Sequence, residues 1–373
     1  MKRFLVVIAV LLAVPLSTFA ADGDKDKYNE YLSGYDLSFF EQSLDDETYD
    51  YIKSLGLDDF DFENISSLSL QSFVDVVISM VKDSVTRPMK GMLSVLLYIM
   101  LSSLISSIKG ENVSSLGDTF STASALLVAV LLISQIGKTV ALCSVSLGVA
   151  GDFIYAFVPV FCAIVLASGK GVTAFSSNAM LLMLSQGISF IASNIFMPVI
   201  NCFLAIGICS GIRSELHLGK LTSSLKSAMI WCLSFISGAF VSVLSIKTTV
   251  SARADILGIR SARFVINSVV PVIGPSVSEG LLSIQSYSSL IKSSVGIVGI
   301  VAVAFVFLPA VLEVAMWRFS VSLCSIISDV YDDKSVSLVL ESFKDALLLA
   351  NVILILSGVT TVISIGLLIA TGG

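Results

Sequence analysis

Hydrophobic positions along this chain come in long uncharged runs rather than in alternation with polar ones, as over 123–136 and 297–308. Without a period of two, such runs predict membrane helices and exclude a β-barrel. A bilayer core about 30 Å thick takes roughly 20 residues of helix per crossing, which leaves room for about eight spans. The runs place them near 92–108, 119–137, 153–168, 172–191, 195–211, 227–246, 294–312 and 347–370. The predicted class is all-α, a polytopic helical membrane protein with interrupted or re-entrant segments.

Other stretches have a two-sided pattern. Over 66–91, Leu70, Phe73, Val74, Val77, Val81 and Val85 recur at helical spacing opposite Asp75, Ser79, Lys82 and Asp83. That predicts an amphipathic helix lying in the interface and ended by Pro88. Residues 314–330 and 335–345 read as further amphipathic pieces around the loop Tyr331-Asp332-Asp333. At the start, Lys2 and Arg3, an apolar core and Thr18-Phe19-Ala20 fit a secretory signal over 1–20. The segment that follows, 21–64, is then extracytoplasmic. Its interleaved acids and aromatics fit a solvated, weakly ordered leader, or one that docks on a partner through its rings. A multi-span domain, 92–373, completes the chain.

Composition sharpens this. Hydrophobic residues make up 55 % of the chain and charged ones 13 %, against about 25 % charged in a soluble domain. The net charge of −6 belongs to the leader, where 22–64 holds fourteen acids and three lysines. From 65 onward fourteen acids face seventeen bases, and no basic block suited to nucleic acid occurs. The positive-inside rule does not orient the chain, because the basic residues divide almost evenly between the two sides. Six cysteines sit apart in apolar stretches without a C-x-x-C pair, as packing thiols do.

An internal repeat runs through the membrane domain. Lys138-Thr139 corresponds to Lys247-Thr248, Val158-Pro159-Val160 to Val270-Pro271-Val272, Gly169 to Gly280, and Pro198 to Pro309. Further on, Lys226-Ser227-Ala228 corresponds to Lys344-Asp345-Ala346 and Ser237-Gly238 to Ser357-Gly358. The units are 119–226 and 228–345, followed by a final helix at 346–370.

Candidate functional residues concentrate in 253–292. Arg253, Arg260 and Arg263 open it and are candidates for contact with partners or lipid head groups. Asn267, Pro271, Gly274, Pro275, Glu279 and Gly280 then interrupt an apolar run. Broken apolar segments that hold a carboxylate line pores or re-entrant loops, so these six are pore or structural candidates. Asp152, Glu313 and Arg318 also lie near the membrane interior; Asp152 fits a helix start, and Glu313 and Arg318 fit snorkelling at an interface. Catalytic, cofactor and metal sets are not found. His217 is the only histidine, and no Walker loop, GxGxxG or GxSxG occurs. Gly151-Asp152 is similar to the GxGD of intramembrane aspartyl proteases, but Val149 stands where its first glycine belongs.

The blocks R-S-A-R-F-V-I-N-S-V-V-P-V-I-G-P-S-V-S-E at 260–279 and K-S-S-V-G-I-V-G-I-V-A-V-A-F-V-F-L-P-A-V-L-E at 292–313 follow a signal, an acidic leader and an amphipathic lead-in. In that order they resemble the stage III sporulation protein AE family. The resemblance implies a non-enzymatic protein of the mother-cell membrane around the forespore. It implies work with the other stage III A proteins and, indirectly, stage II sporulation protein Q, in a channel or secretion-like complex needed for endospore formation. No site residue carries over. The alternative reading, from the repeat and broken segments, is an autonomous permease-like secondary transporter.

Overall fold

The structure, a computed structural model, describes residues 25–57, 70–108, 114–191, 194–195, 197–212, 219–269, 274–331 and 333–370. The signal at 1–20 lies outside them. The described residues form ten α-helices and no strand: α1 (Lys25–Leu32), α2 (Phe39–Ser43), α3 (Asp46–Ser54), α4 (Leu70–Ile108), α5 (Ser114–Ala167), α6 (Gly171–Ile191), α7 (Met197–Ile212), α8 (Gly219–Val269), α9 (Gly274–Val330) and α10 (Lys334–Ala370). Four helical stretches among them are long and apolar enough to cross a membrane: Phe120–Ala167, Lys220–Gly258, Ser288–Val330 and Lys334–Leu367. Shorter apolar stretches occupy Gly171–Leu184 and Pro198–Ser210.

The expected spans thus fall on helices, but the helices do not stop where the spans were expected to. Lys138 lies inside α5, which joins the spans expected at 119–137 and 153–168. Lysine is a good helix former, so a lone charge marks a change of environment without ending the hydrogen-bond ladder. Pro88, expected to end the amphipathic helix, lies inside α4, which continues to Ile108. A proline removes one backbone bond, and the turns on either side carry the helix past it. With 54, 51 and 57 residues, α5, α8 and α9 are roughly 75–85 Å long, over twice the hydrocarbon core.

α9 is the central helix. Within its span 89 % of the most apolar window is buried, against 17 % for the corresponding window of α8. α5 runs antiparallel to it, in a register fixed by Thr139–Glu313 and Ser121–Asp333. α10 returns antiparallel on another side, with Lys292 bonded to the Ile369 carbonyl and Phe307 packed on Gly358. Small residues allow these approaches: a Cβ on Gly299 would lie 2.8 Å from the Phe157 ring, and one on Gly91 would strike Trp317 and Gln135. Gly207, which forms a GxxxG pair with Gly211, seats α7 against Ser342 of α10 in the same way.

α8 and α10 run parallel, joined by the Lys226–Asp345 ion pair at 2.8 Å and by the shared cleft described below. The copies expected at 226–238 and 344–358 therefore lie side by side. Other paired positions fall in different local structure. Gly169 makes a turn while Gly280 lies inside α9, and Pro198 is in the first turn of α7 while Pro309 lies inside α9. On α8, Lys226 and Lys247 bracket about 30 Å of helix with Trp231 one turn inside, the arrangement of one crossing with an interfacial aromatic.

Along α5 the exposed apolar surface forms two bands. One includes Val145, Tyr155 and Leu166; the other, shared with Leu93, Leu97, Leu101 and Leu104 of α4, includes Leu127, Val130 and Ile133. Lys138 is exposed at the boundary between them.

The described part of the leader departs from the expectation of a solvated segment. Several of its apolar side chains bury themselves on the chain's own bundle. Tyr28, Phe40, Ile52 and Leu57 are buried, Phe40 meets Phe153 of α5 edge-on at 5.7 Å, and Tyr51 packs on Phe305 of α9. Asp45 caps α3 by accepting from the Thr48 amide, and Gly56, at φ 69°, closes it with its amide on the Lys53 carbonyl. The acids point outward, so each short helix is apolar on one face and charged on the other. Burial also raises the Tyr51 hydroxyl to about 12, with Glu47 adding to the shift. Phe40→Ala should weaken this docking by about 3 kcal/mol. Hydrogen exchange should then show residues 25–57 losing protection while α9 keeps its own; unchanged protection would show that Phe40 is not an anchor.

Candidate functional site

The stretch singled out in sequence spans the junction of α8 and α9. Arg253 and Arg260 are exposed on α8. Arg263 and Asn267 are helical residues of the same element, but their side chains lie outside the described set. Pro271 falls at 270–273, outside the described residues. Gly274 and Pro275 are the first two residues of α9, where proline's fixed φ and missing amide suit a helix start. Glu279 and Gly280 lie within α9, with side chains that are not described. Gly280 was expected to be a second break, yet the helix runs through it. A single glycine costs a helix about 1 kcal/mol, which the packing of a 57-residue element easily outweighs.

The intramembrane charges also sort differently from expectation. Asp152 and Arg318 are exposed, whereas Glu313 is 8 % exposed and does not snorkel. Its Oε1 accepts a 2.7 Å hydrogen bond from Thr139 Oγ1, and Cys143 donates to the Thr139 carbonyl one turn along.

Two polar contacts that the sequence reading did not single out hold the bundle end where α5, α6, α8, α9 and α10 meet. α5 ends at Ala167, and the turn that follows passes through Gly169, whose φ of 79° only glycine adopts without strain. The Gly169 amide donates to Leu166 and the Lys170 amide to Val165, so the chain reverses within two residues. The new helix, α6, has no capping side chain of its own at Lys170. Asp255 of α8 supplies one from across the bundle: Oδ1 accepts from the Val172 amide at 2.8 Å and Oδ2 from the Thr173 amide at 2.9 Å. Asp255 is 5 % exposed, and the positive end of α6 compensates its charge. Its signal in the sequence was present, a lone acid among Lys247, Arg253 and Arg260, but nothing local revealed its partner 82 residues away. Burial pulls the Lys170 ammonium below its ordinary value, and the Asp255 carboxylate partly offsets this. The second contact is Lys292, 1 % exposed, which donates to the Ile369 carbonyl in the last turn of α10 at 2.9 Å. A cation there complements the negative end of that helix.

A cleft of about 550 Å³, open solvent included, lies between α6, α8 and α10. Met183, Leu184, Phe240 and Ile353 make it mostly apolar, with Ser237, Ser357 and Thr360 as its hydroxyls. Among the described residues no group of His, Cys, Asp and Glu is placed to hold a metal ion, and all six cysteines are free.

Asp255→Ala should uncap α6 and cost about 1–2 kcal/mol, read as a lower Tm by circular dichroism in detergent. An unchanged Tm would mean that α6 is capped by another group. The same substitution removes the offsetting charge beside Lys170, so acylation of that amine, followed by mass spectrometry, should quicken.

Comparison with known proteins places the chain. The family model described as stage III sporulation protein AE matches residues 55–372. The stage III sporulation protein AE of Bacillus subtilis (strain 168) is 28 % identical over 149 residues, which cover 40 % of this chain and 37 % of that protein. No solved structure matches. The matched region takes in every helix from α4 to α10, and the chain belongs to the stage III sporulation protein AE family.

Proposed function

We propose that this protein is a non-enzymatic membrane component of a channel or secretion-like complex between mother cell and forespore, required for endospore formation. The family match over residues 55–372 carries the reading, and the family is a sporulation family rather than a known enzyme family. The four apolar helical stretches support a membrane protein. In this reading it resides in the mother-cell membrane around the forespore, with its leader extracytoplasmic after removal of a signal at 1–20. Its partners are the other stage III A proteins, stage II sporulation protein Q indirectly, and membrane lipids. Arg253, Arg260 and Arg263 offer cationic contacts to such partners. The internal duplication belongs to the same proposal and is supported by the parallel pairing of α8 with α10.

The permease-like reading draws its support from the cleft between α6, α8 and α10. The two separate by experiment. A clean deletion should arrest spores after engulfment, and affinity purification of the full chain from sporulating cells should retain other stage III A membrane proteins. Normal sporulation in the deletion would overturn the channel-component reading. Solute-dependent flux by the purified protein alone in vesicles, altered by Glu279→Gln, would favour the transporter.

A further inference from the structure

Charge on the surface of this molecule is segregated. The docked leader turns Glu30, Asp36, Glu41, Asp46, Glu47 and Asp50 outward, with Lys53 as the one exposed base among its described side chains. On α8 the pattern inverts. Lys247, Arg253 and Arg260 are exposed, while the acid between them, Asp255, is buried in the cap of α6. Among the described residues none of these exposed charges is in an ion pair.

The two charged faces stand at the same height along the bundle. The leader follows α9 from Ser288, which shares a hydrogen bond with the Tyr35 hydroxyl, to Phe305, which meets the Tyr51 ring. α8 keeps step with α10 through Lys226–Asp345, and α10 runs back along α9 through Lys292–Ile369 and Phe307–Gly358. With an equal rise per residue, 288–305 of α9 lies level with roughly 239–256 of α8, and Arg260 stands about one turn beyond. Lys170 is within electrostatic reach of both Asp255 and Lys292, which fixes this end of α8 at the level of 292. The leader, however, packs on α5 and α9, whereas α8 packs mainly on α6 and α10. The faces occupy different flanks and do not pair within one copy.

We propose that the acidic face of the leader docks on the basic end of α8 in a second copy of this chain. Copies in one bilayer share an orientation, so only surfaces at matching height can meet, and these two match. Anionic lipid head groups would satisfy the arginines but be repelled by the acids at the same level; a second copy satisfies both sets. Val250, Ile256 and Leu257 are exposed around the cations, and Tyr31 is exposed among the acids. Apolar and aromatic surface beside arginine is the composition of protein interfaces. The contact joins unlike surfaces, so each copy offers both halves, and the array closes into a ring or continues as a row. The acids precede the residues matched by the family model, so family membership does not supply this contact. It stands or falls separately from the channel reading, which spore arrest tests.

The test mixes heavy-isotope-labelled and unlabelled copies of the full chain in phosphatidylcholine vesicles and joins carboxyls to amines with a zero-length carbodiimide. Lys247 supplies the amine in the wild type, and Arg253→Lys adds a second. Mass spectrometry should find peptides that carry both labels and join leader acids to position 247 or 253. Their yield should fall severalfold between about 0.1 M and about 1 M salt, as the screening length shortens from about 10 Å to about 3 Å. Glu41→Lys/Asp50→Lys copies alone, and Arg253→Glu/Arg260→Glu copies alone, should lose the mixed-label peptides, and mixing the two variants should restore them. A variant that had merely unfolded would not be rescued by mixing. Like-labelled peptides only, no peptide joining these faces in the wild type, or no rescue would overturn the proposal. So would the signature of head groups as occupant, in which mixed-label peptides are absent and added phosphatidylglycerol shields Lys247 from acylation.

Discussion

In a bilayer, apolar helices gain little by leaving lipid for one another, so close contact at small residues must hold the bundle. Here that contact is made along α9. Gly296 admits Ile369 and Phe161, Gly299 admits the Phe157 ring, and Gly358 of α10 receives Phe307. Each removes a side chain where two helices would otherwise stand apart. The register these glycines set, α5 and α10 both antiparallel to α9, then places every polar contact in the interior. Thr139 meets Glu313, and Lys292 meets the end of α10, only because the helices are held in those positions.

The interior polar groups divide into two kinds. Asp255 and Lys292 face helix ends, where backbone amides and carbonyls satisfy them at little cost. Glu313 faces the middle of two helices, whose backbone groups are already paired, and takes a single side-chain hydroxyl. The first arrangement tightens a fold. The second leaves polar capacity unfilled, as the bare Trp317 and Ser320 atoms on the same face confirm.

Much of the architecture was legible because bilayer thickness imposes a length on apolar runs. The runs near 294–312 and 347–370 lie within α9 and α10, and the start of α9 at Gly274-Pro275 coincides with the break read from Gly and Pro. What the runs do not encode is where a helix ends. Lys138, Pro88 and Gly280 all looked like stops and all lie inside helices, since each costs a ladder of dozens of bonds no more than a few kcal/mol. The leader was misread for a related reason: acids dominate its average, while Tyr28, Phe40 and Ile52 decide where it sits. Asp255 was hidden because its role depends on a helix start brought near only by the tertiary fold.

The two apolar bands of α5 carry a cost that can be sized. Phe120–Ala167 is 48 residues, about 72 Å of helix set against a hydrocarbon core near 30 Å. Hydrophobic mismatch costs fractions of a kcal/mol per Å, and bilayers absorb a few Å of it by thickening or by helix tilt. An excess of some 40 Å is on the order of 10 kcal/mol, comparable to the whole stability of a small domain. Membrane elasticity cannot absorb that strain. The exposed lysine at 138, set between the bands, breaks the apolar surface of a helix longer than a single hydrocarbon core can cover.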